Sequence, residues 1–148
     1  MPRPLGRGER ERFLAELHTG VVSVADGDRG PLTSPVWYSY ESGGDLVFCT
    51  RDDTRKARLL ALGTRVSFLA QVEGDIARGV LPRYVSVEGP VVELESADLD
   101  RDLRPIVHRY LGQAIGDGYL KATRGDRATG ELVVRIRPER WLTRDFGT

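Results

Sequence analysis

The chain has 148 residues, enough for one domain that buries roughly two-thirds of its unfolded surface and too few for a second of ordinary size. Its 22 basic and 22 acidic side chains cancel, which excludes a molecule steered as a whole toward nucleic acid or an acidic membrane, so any anion site must be local. A single cysteine, Cys49, excludes an internal disulfide and, with no apolar run long enough for a leader or a membrane span, leads us to expect a cytoplasmic protein.

Residues 1–8 are rich in Pro, Gly and Arg and are expected to be mobile. A short helix over about Glu9–Leu17 turns Phe13, Leu14 and Leu17 to one side and is expected to cap one end of a barrel. Gly20–Asp26 reads as a strand, Gly27–Gly30 as its turn, and Pro31–Tyr40 as the returning strand. Alternation puts Val36, Tyr38 and Tyr40 on one face and Trp37 and Ser39 on the other, so this strand is expected to be covered on both sides and away from a bare edge.

The stretch from Pro35 to Arg58 organises the rest. Pro35–Tyr40 and Leu46–Thr50 flank the break Ser42-Gly43-Gly44-Asp45, the spacing of a β-hairpin. The second strand runs through Arg51-Asp52-Asp53 into Thr54-Arg55-Lys56, where a helical pattern of Ala57, Leu59, Leu60 and Leu62 begins and stops at Gly63. A hydroxyl and two cations delivered to a helix start suit an oxyanion. Asp52 and Asp53 would repel it, so at least one is expected to cap the helix and point away. Two of the 22 basic residues are lysines, Lys56 and Lys121, which makes Lys56 more informative than lysines usually are.

Arg65–Val72 is a further strand, and Glu73–Pro82, punctuated by Gly74, Gly79 and Pro82, is a loop long enough for a lid or a subunit contact. Arg83–Leu94 is the longest β signal, with Gly89-Pro90 predicting a bulged bend where the strand passes between two parts of a curled sheet. Asp98–Gly112 reads as a helix with Pro105 in its first turn, Ile106, Val107, Tyr110 and Leu111 on its packed face and Gly112 as its stop; Tyr119–Thr123 reads as a second short helix. Gly130–Arg137 closes the chain as a strand and Pro138–Trp141 leads into a short tail. The fold class that follows is mainly β, a small antiparallel barrel of six to seven strands with short flanking helices. His18, His108 and Cys49 lack metal-ligand spacing, so no metal is expected.

The order of Pro35-Val36-Trp37-Tyr38, Leu46–Thr50, Thr54-Arg55-Lys56-Ala57-Arg58, Arg65-Val66-Ser67, Tyr84-Val85-Ser86-Val87-Glu88-Gly89 and the Pro138–Trp141 ending resembles the pyridoxamine 5'-phosphate oxidase-like split β-barrels, the flavin and deazaflavin (F420) oxidoreductases. The resemblance implies a homodimer with FMN, or alternatively F420, in clefts at the subunit interface and a small organic substrate. It implies a cofactor phosphate near Thr50, Arg55 and Lys56, the backbone of Pro35, Val36 and Trp37 along the ring, and Tyr84, Ser86 or Trp141 reaching in from the facing subunit. It assigns no catalytic side chain, as the cofactor carries the hydride chemistry. After Trp141 the chain reads Leu142-Thr143-Arg144-Asp145-Phe146-Gly147, without the Arg and His run that grips the substrate phosphate in the true oxidases, so vitamin B6 oxidation is not expected.

Overall fold

The computed structural model describes residues 1–147. Its strands, in chain order, are β1 (Gly20–Asp26), β2 (Arg29–Val36), β3 (Tyr38–Tyr40), β4 (Leu46–Arg51), β5 (Arg65–Val72), β6 (Arg83–Ser96), β7 (Glu131–Ile136) and β8 (Arg140–Asp145). The helices are α1 (Arg7–Ala15), α2 (Arg55–Leu59), α3 (Arg104–Leu111) and α4 (Gln113–Arg124), with a π turn at Leu99–Leu103 leading into α3. All pairing is antiparallel, in the order β2-β1-β5-β6-β7-β4-β3, with β8 beside β6. The class is the expected one, a mainly β split barrel, with eight strands in place of six or seven. The additional pieces are β8, in the segment read as a tail, and the division of Pro31–Tyr40 into β2 and β3.

Two corners curl the sheet. At the first, β6 leaves one set of partners and takes another: β5 pairs with it as far as Pro90 and β8 as far as Glu88, and β7 takes over from Val91. Gly89 is needed there because a Cβ would lie 1.8 Å from the Arg137 carbonyl oxygen. The register shift predicted at Gly89-Pro90 falls slightly later, between Val91 and Glu93. The second corner is Trp37, which interrupts the strand read as continuous; β2 and β3 then form the two ends of the hydrogen-bonded path, so this segment lies at edges after all. Tyr38 and Tyr40 still face inward, and the change of sheet is what turns Trp37 outward.

The barrel interior is packed by Val22, Tyr38, Phe48, Phe68, Val85 and Ile136, all essentially inaccessible. α1 seals one end with Phe13 and Leu14, and the buried Tyr38 hydroxyl donates to the Leu14 carbonyl at 2.7 Å, where burial pushes the phenol pKa up. Residues ahead of α1 are tied down where mobility was expected. Arg3 bridges to Asp145, and buried Leu5 donates its N–H to Thr143 Oγ1. Outside the barrel, α3 and α4 form an antiparallel hairpin over a second small core of Leu99, Leu103, Val107 and Leu120, against which Cys49 packs. The helix read at Tyr119–Thr123 thus extends over Gln113–Arg124.

Candidate functional site

The start of α2 is shaped by Thr54. Its hydroxyl accepts from Ala57 N at 3.1 Å and donates to the Arg51 carbonyl at 2.9 Å, so Thr54, not Asp52 or Asp53, is the N-cap. Both aspartates are exposed. α2 also ends at Leu59, five residues long, where the apolar pattern predicted a helix to Leu62; Leu60 dips into the barrel core and pulls the backbone into an extended conformation. So short a helix has little dipole, and an anion here would be held by side chains.

Lys56 is the side chain placed to do so. Its amine donates to Ser34 Oγ at 2.9 Å, lies 5.7 Å from the centroid of the Phe48 ring, and forms no ion pair among the described residues. Burial lowers its pKa, because nothing nearby offsets the cost of removing the charge from water. Arg55 differs: its guanidinium turns to the end of β1 and pairs with Asp26, with Nε at 2.9 Å. Thr50 is buried on the barrel side of β4, its hydroxyl 3.4 Å from that of Thr54.

Lys56 lines a cavity of about 290 Å3 together with Pro35, Val36 and Trp37, and α3 and α4 form its far wall through Ile106, Val107 and Tyr119. Trp37 is over a third exposed, and its indole stacks on Tyr110 with ring centroids 5.0 Å apart and a 7° interplanar angle. Tyr110 is itself fixed, donating to the His18 carbonyl and accepting from Tyr38 N at 3.2 Å. Arg124 completes the rim, its guanidinium 2.6 Å from buried Glu131. Cys49 is on the floor, where burial first, and then Glu131 and Asp102, push its thiol pKa up to about 12; it packs as a neutral group. A larger groove of about 970 Å3 beside β3 and β4 carries five carboxylates against three guanidiniums and is poorly suited to an anion.

The structure therefore gathers Pro35, Val36, Trp37 and Lys56 in one cavity, sets Thr50 just behind Thr54, and points Arg55 away. Tyr84 and Ser86 lie on β6 and Trp141 on β8; Ser86 and Trp141 border a different cavity, of about 320 Å3, which shares no residue with the Lys56 cavity. Within one chain they do not meet Lys56. Residues that sequence reading passed over are Cys49, Tyr110, Tyr119 and Arg124. Tyr110 was visible as part of an apolar helical face, but nothing in its spacing tied it to Trp37; that contact comes from the α3–α4 hairpin folding back over β2 and β4.

A half-buried cation without a carboxylate, beside flat aromatic walls, fits a planar cofactor bearing a phosphate, with Lys56 as its counter-ion. Solved structures with the same fold include a conserved hypothetical protein from Mycobacterium tuberculosis, with a TM-score of 0.73 and 23% identity over 95% of this chain and 85% of that one. An F420 reductase has a TM-score of 0.59 and 19% identity over 89% and 94% of the two chains. A FAD-binding protein from Mycobacterium smegmatis has a TM-score of 0.64 and 14% identity over 99% of both. No curated protein matches. The family described as pyridoxamine 5'-phosphate oxidase matches residues 7–145, nearly the whole chain, and with the barrel and its order of strands this shows that the chain belongs to that family.

Proposed function

We propose that the protein is a flavin-dependent oxidoreductase that binds FMN in the Lys56 cavity and exchanges hydride with a small organic substrate. The observation that carries this reading is Lys56 itself, a cation held in a partly apolar cavity with only a neutral hydroxyl as partner. A bound flavin would supply the redox chemistry; the chain contributes binding, orientation and exclusion of water. Lys56 would hold the phosphate, Ser34 would lend a hydroxyl beside it, and Pro35, Val36 and Trp37 would border the ring.

The cavity lies at the small end of the usual range for ligand pockets and is open on one side, which supports completion by a second copy. Exposed Leu142, Phe146, Ile76 and Leu81 give that copy an apolar surface to cover. In the dimer, Tyr84, Ser86 or Trp141 of one chain would face the Lys56 cavity of the other. F420 is the second reading, favoured by the F420 reductase among the similar structures. Titrating the purified protein with each cofactor and following its visible bands separates the two; saturable binding of neither would refute both. Turnover of enones and quinones by the loaded protein separates an enzyme from a carrier, and no oxidation above background would favour the carrier.

A further inference from the structure

Within one chain a second cavity shares no lining residue with the Lys56 cavity, and the inference from it does not rest on the cofactor reading. Arg10 and Glu11 stand three and four residues after Arg7 on α1, so both neighbour it on one helical face. That face meets the β3–β4 turn at Asp45, the β7–β8 connection at Arg137 and Pro138, and Trp141 of β8, enclosing a cavity of about 340 Å3. Three guanidiniums and two carboxylates line it. Both carboxylates are taken, Glu11 by Arg7 at 3.3 Å and Asp45 by Arg137 at 3.4 Å.

Arg10 is left over. Its side chain forms no hydrogen bond or ion pair among the described residues, and its Nε is buried without an acceptor. The guanidinium lies 4.2 Å from the centroid of the Trp141 ring, which packs against the barrel core. Stacking therefore holds the cation in place and leaves its hydrogen-bonding edge unused. A buried donor in such a position is costly unless an acceptor arrives.

We propose that this cavity binds a small organic monocarboxylate, gripped by two parallel hydrogen bonds from the terminal nitrogens of Arg10 and laid along the edge of the Trp141 ring. One uncompensated cation calls for one negative charge, and Glu11 and Asp45 at the rim disfavour a dianion such as phosphate. The indole and the neighbouring Pro138 favour a ligand with an apolar body.

The test is a titration of the full chain with benzoate, and separately with inorganic phosphate, following the Arg10 Nε–H resonance. A saturable shift with benzoate is expected, with affinity at least tenfold weaker in Arg10→Gln and also in Arg10→Lys, which keeps the charge but loses the fork. Lys56→Met should bind benzoate as the wild type does. If Arg10→Gln fails to fold, the wild-type resonance and Arg10→Lys still decide. The proposal is overturned by no saturable benzoate binding, by phosphate binding more tightly, by unchanged affinity in Arg10→Lys, or by loss of benzoate binding in Lys56→Met, which would place the anion in the other cavity. Self-association that depends on Arg10 and ignores benzoate would also overturn it.

Discussion

Two adjacent cations, Arg55 and Lys56, should respond differently to mutation. Lys56→Met removes a charge that nothing in the fold neutralises, so the free protein should keep its thermal midpoint while FMN affinity falls by about ten- to a hundredfold, the worth of one charge-assisted hydrogen bond. Arg55→Ala should instead cost up to about 1 kcal/mol of stability through the lost pair with Asp26, and less affinity than Lys56→Met. Titrating both variants with FMN and melting both would show the reverse order if Arg55 swings round to the phosphate. The sequence shows that the pair stands at a helix start; it could not show that Asp26, some thirty residues earlier, holds one member. His18 offers a pH test. Its ring stacks on Phe13 at 4.3 Å, and burial lowers its pKa despite the nearby Glu16. A lowered folded pKa means the neutral ring's contribution is intact above about 6.5, the ordinary histidine value, and is lost as pH falls below it. Wild-type stability should therefore drop between pH 7.5 and 5.5, and by less in His18→Gln, as read by urea unfolding.

At the scale of elements, the α3–α4 hairpin is the wall of the Lys56 cavity and also the part least legible in the sequence. Pro105 and the apolar face of α3 were readable from spacing, but Gln113–Arg124 carries five polar or charged residues and two glycines among its apolar ones, and its helix is stabilised by docking of Leu120 in the cluster with Val107 and Cys49. Gly112 ends α3 and, at φ 77°, reverses the chain, a conformation glycine adopts without strain. Asp117 then clamps the two helices, 2.6 Å from His108 Nε2 and 2.6 Å from an Arg104 nitrogen. Those partners lower its pKa, so the clamp's stabilisation is full above the ordinary carboxylate range and is lost as pH falls from there through the lowered value. Asp117→Asn should speed amide exchange across Gln113–Arg124 and weaken cofactor binding a few-fold without unfolding the barrel. Exchange as slow as in the wild type would mean that apolar packing alone holds the hairpin.

For the molecule as a whole, the strand pattern was sufficient to predict the barrel because inward residues alternate strictly in β1, β4, β5 and the first half of β6. Its corners were less accessible: Gly89 shows as a glycine in any reading, but the nearness of the Arg137 carbonyl does not, and Gly89→Ala should cost at least about 2 kcal/mol because backbone must move. The proposed dimer has its own test. Mixing Lys56→Met with a Tyr84→Ala, Ser86→Ala variant should restore cofactor binding to about a quarter of the sites, since half the dimers are mixed and each mixed dimer has one intact cleft. No recovery in confirmed mixed dimers would mean that each chain binds alone. One further consequence comes from β2, which pairs only with β1. Pro31, Thr33 and Pro35 share one hydrogen-bonding direction, and prolines have no N–H to donate, so along this stretch the margin offers carbonyl acceptors but Thr33 alone as a donor. An intruding strand cannot complete a ladder there, which should keep this margin from seeding fibres in concentrated solutions as they age.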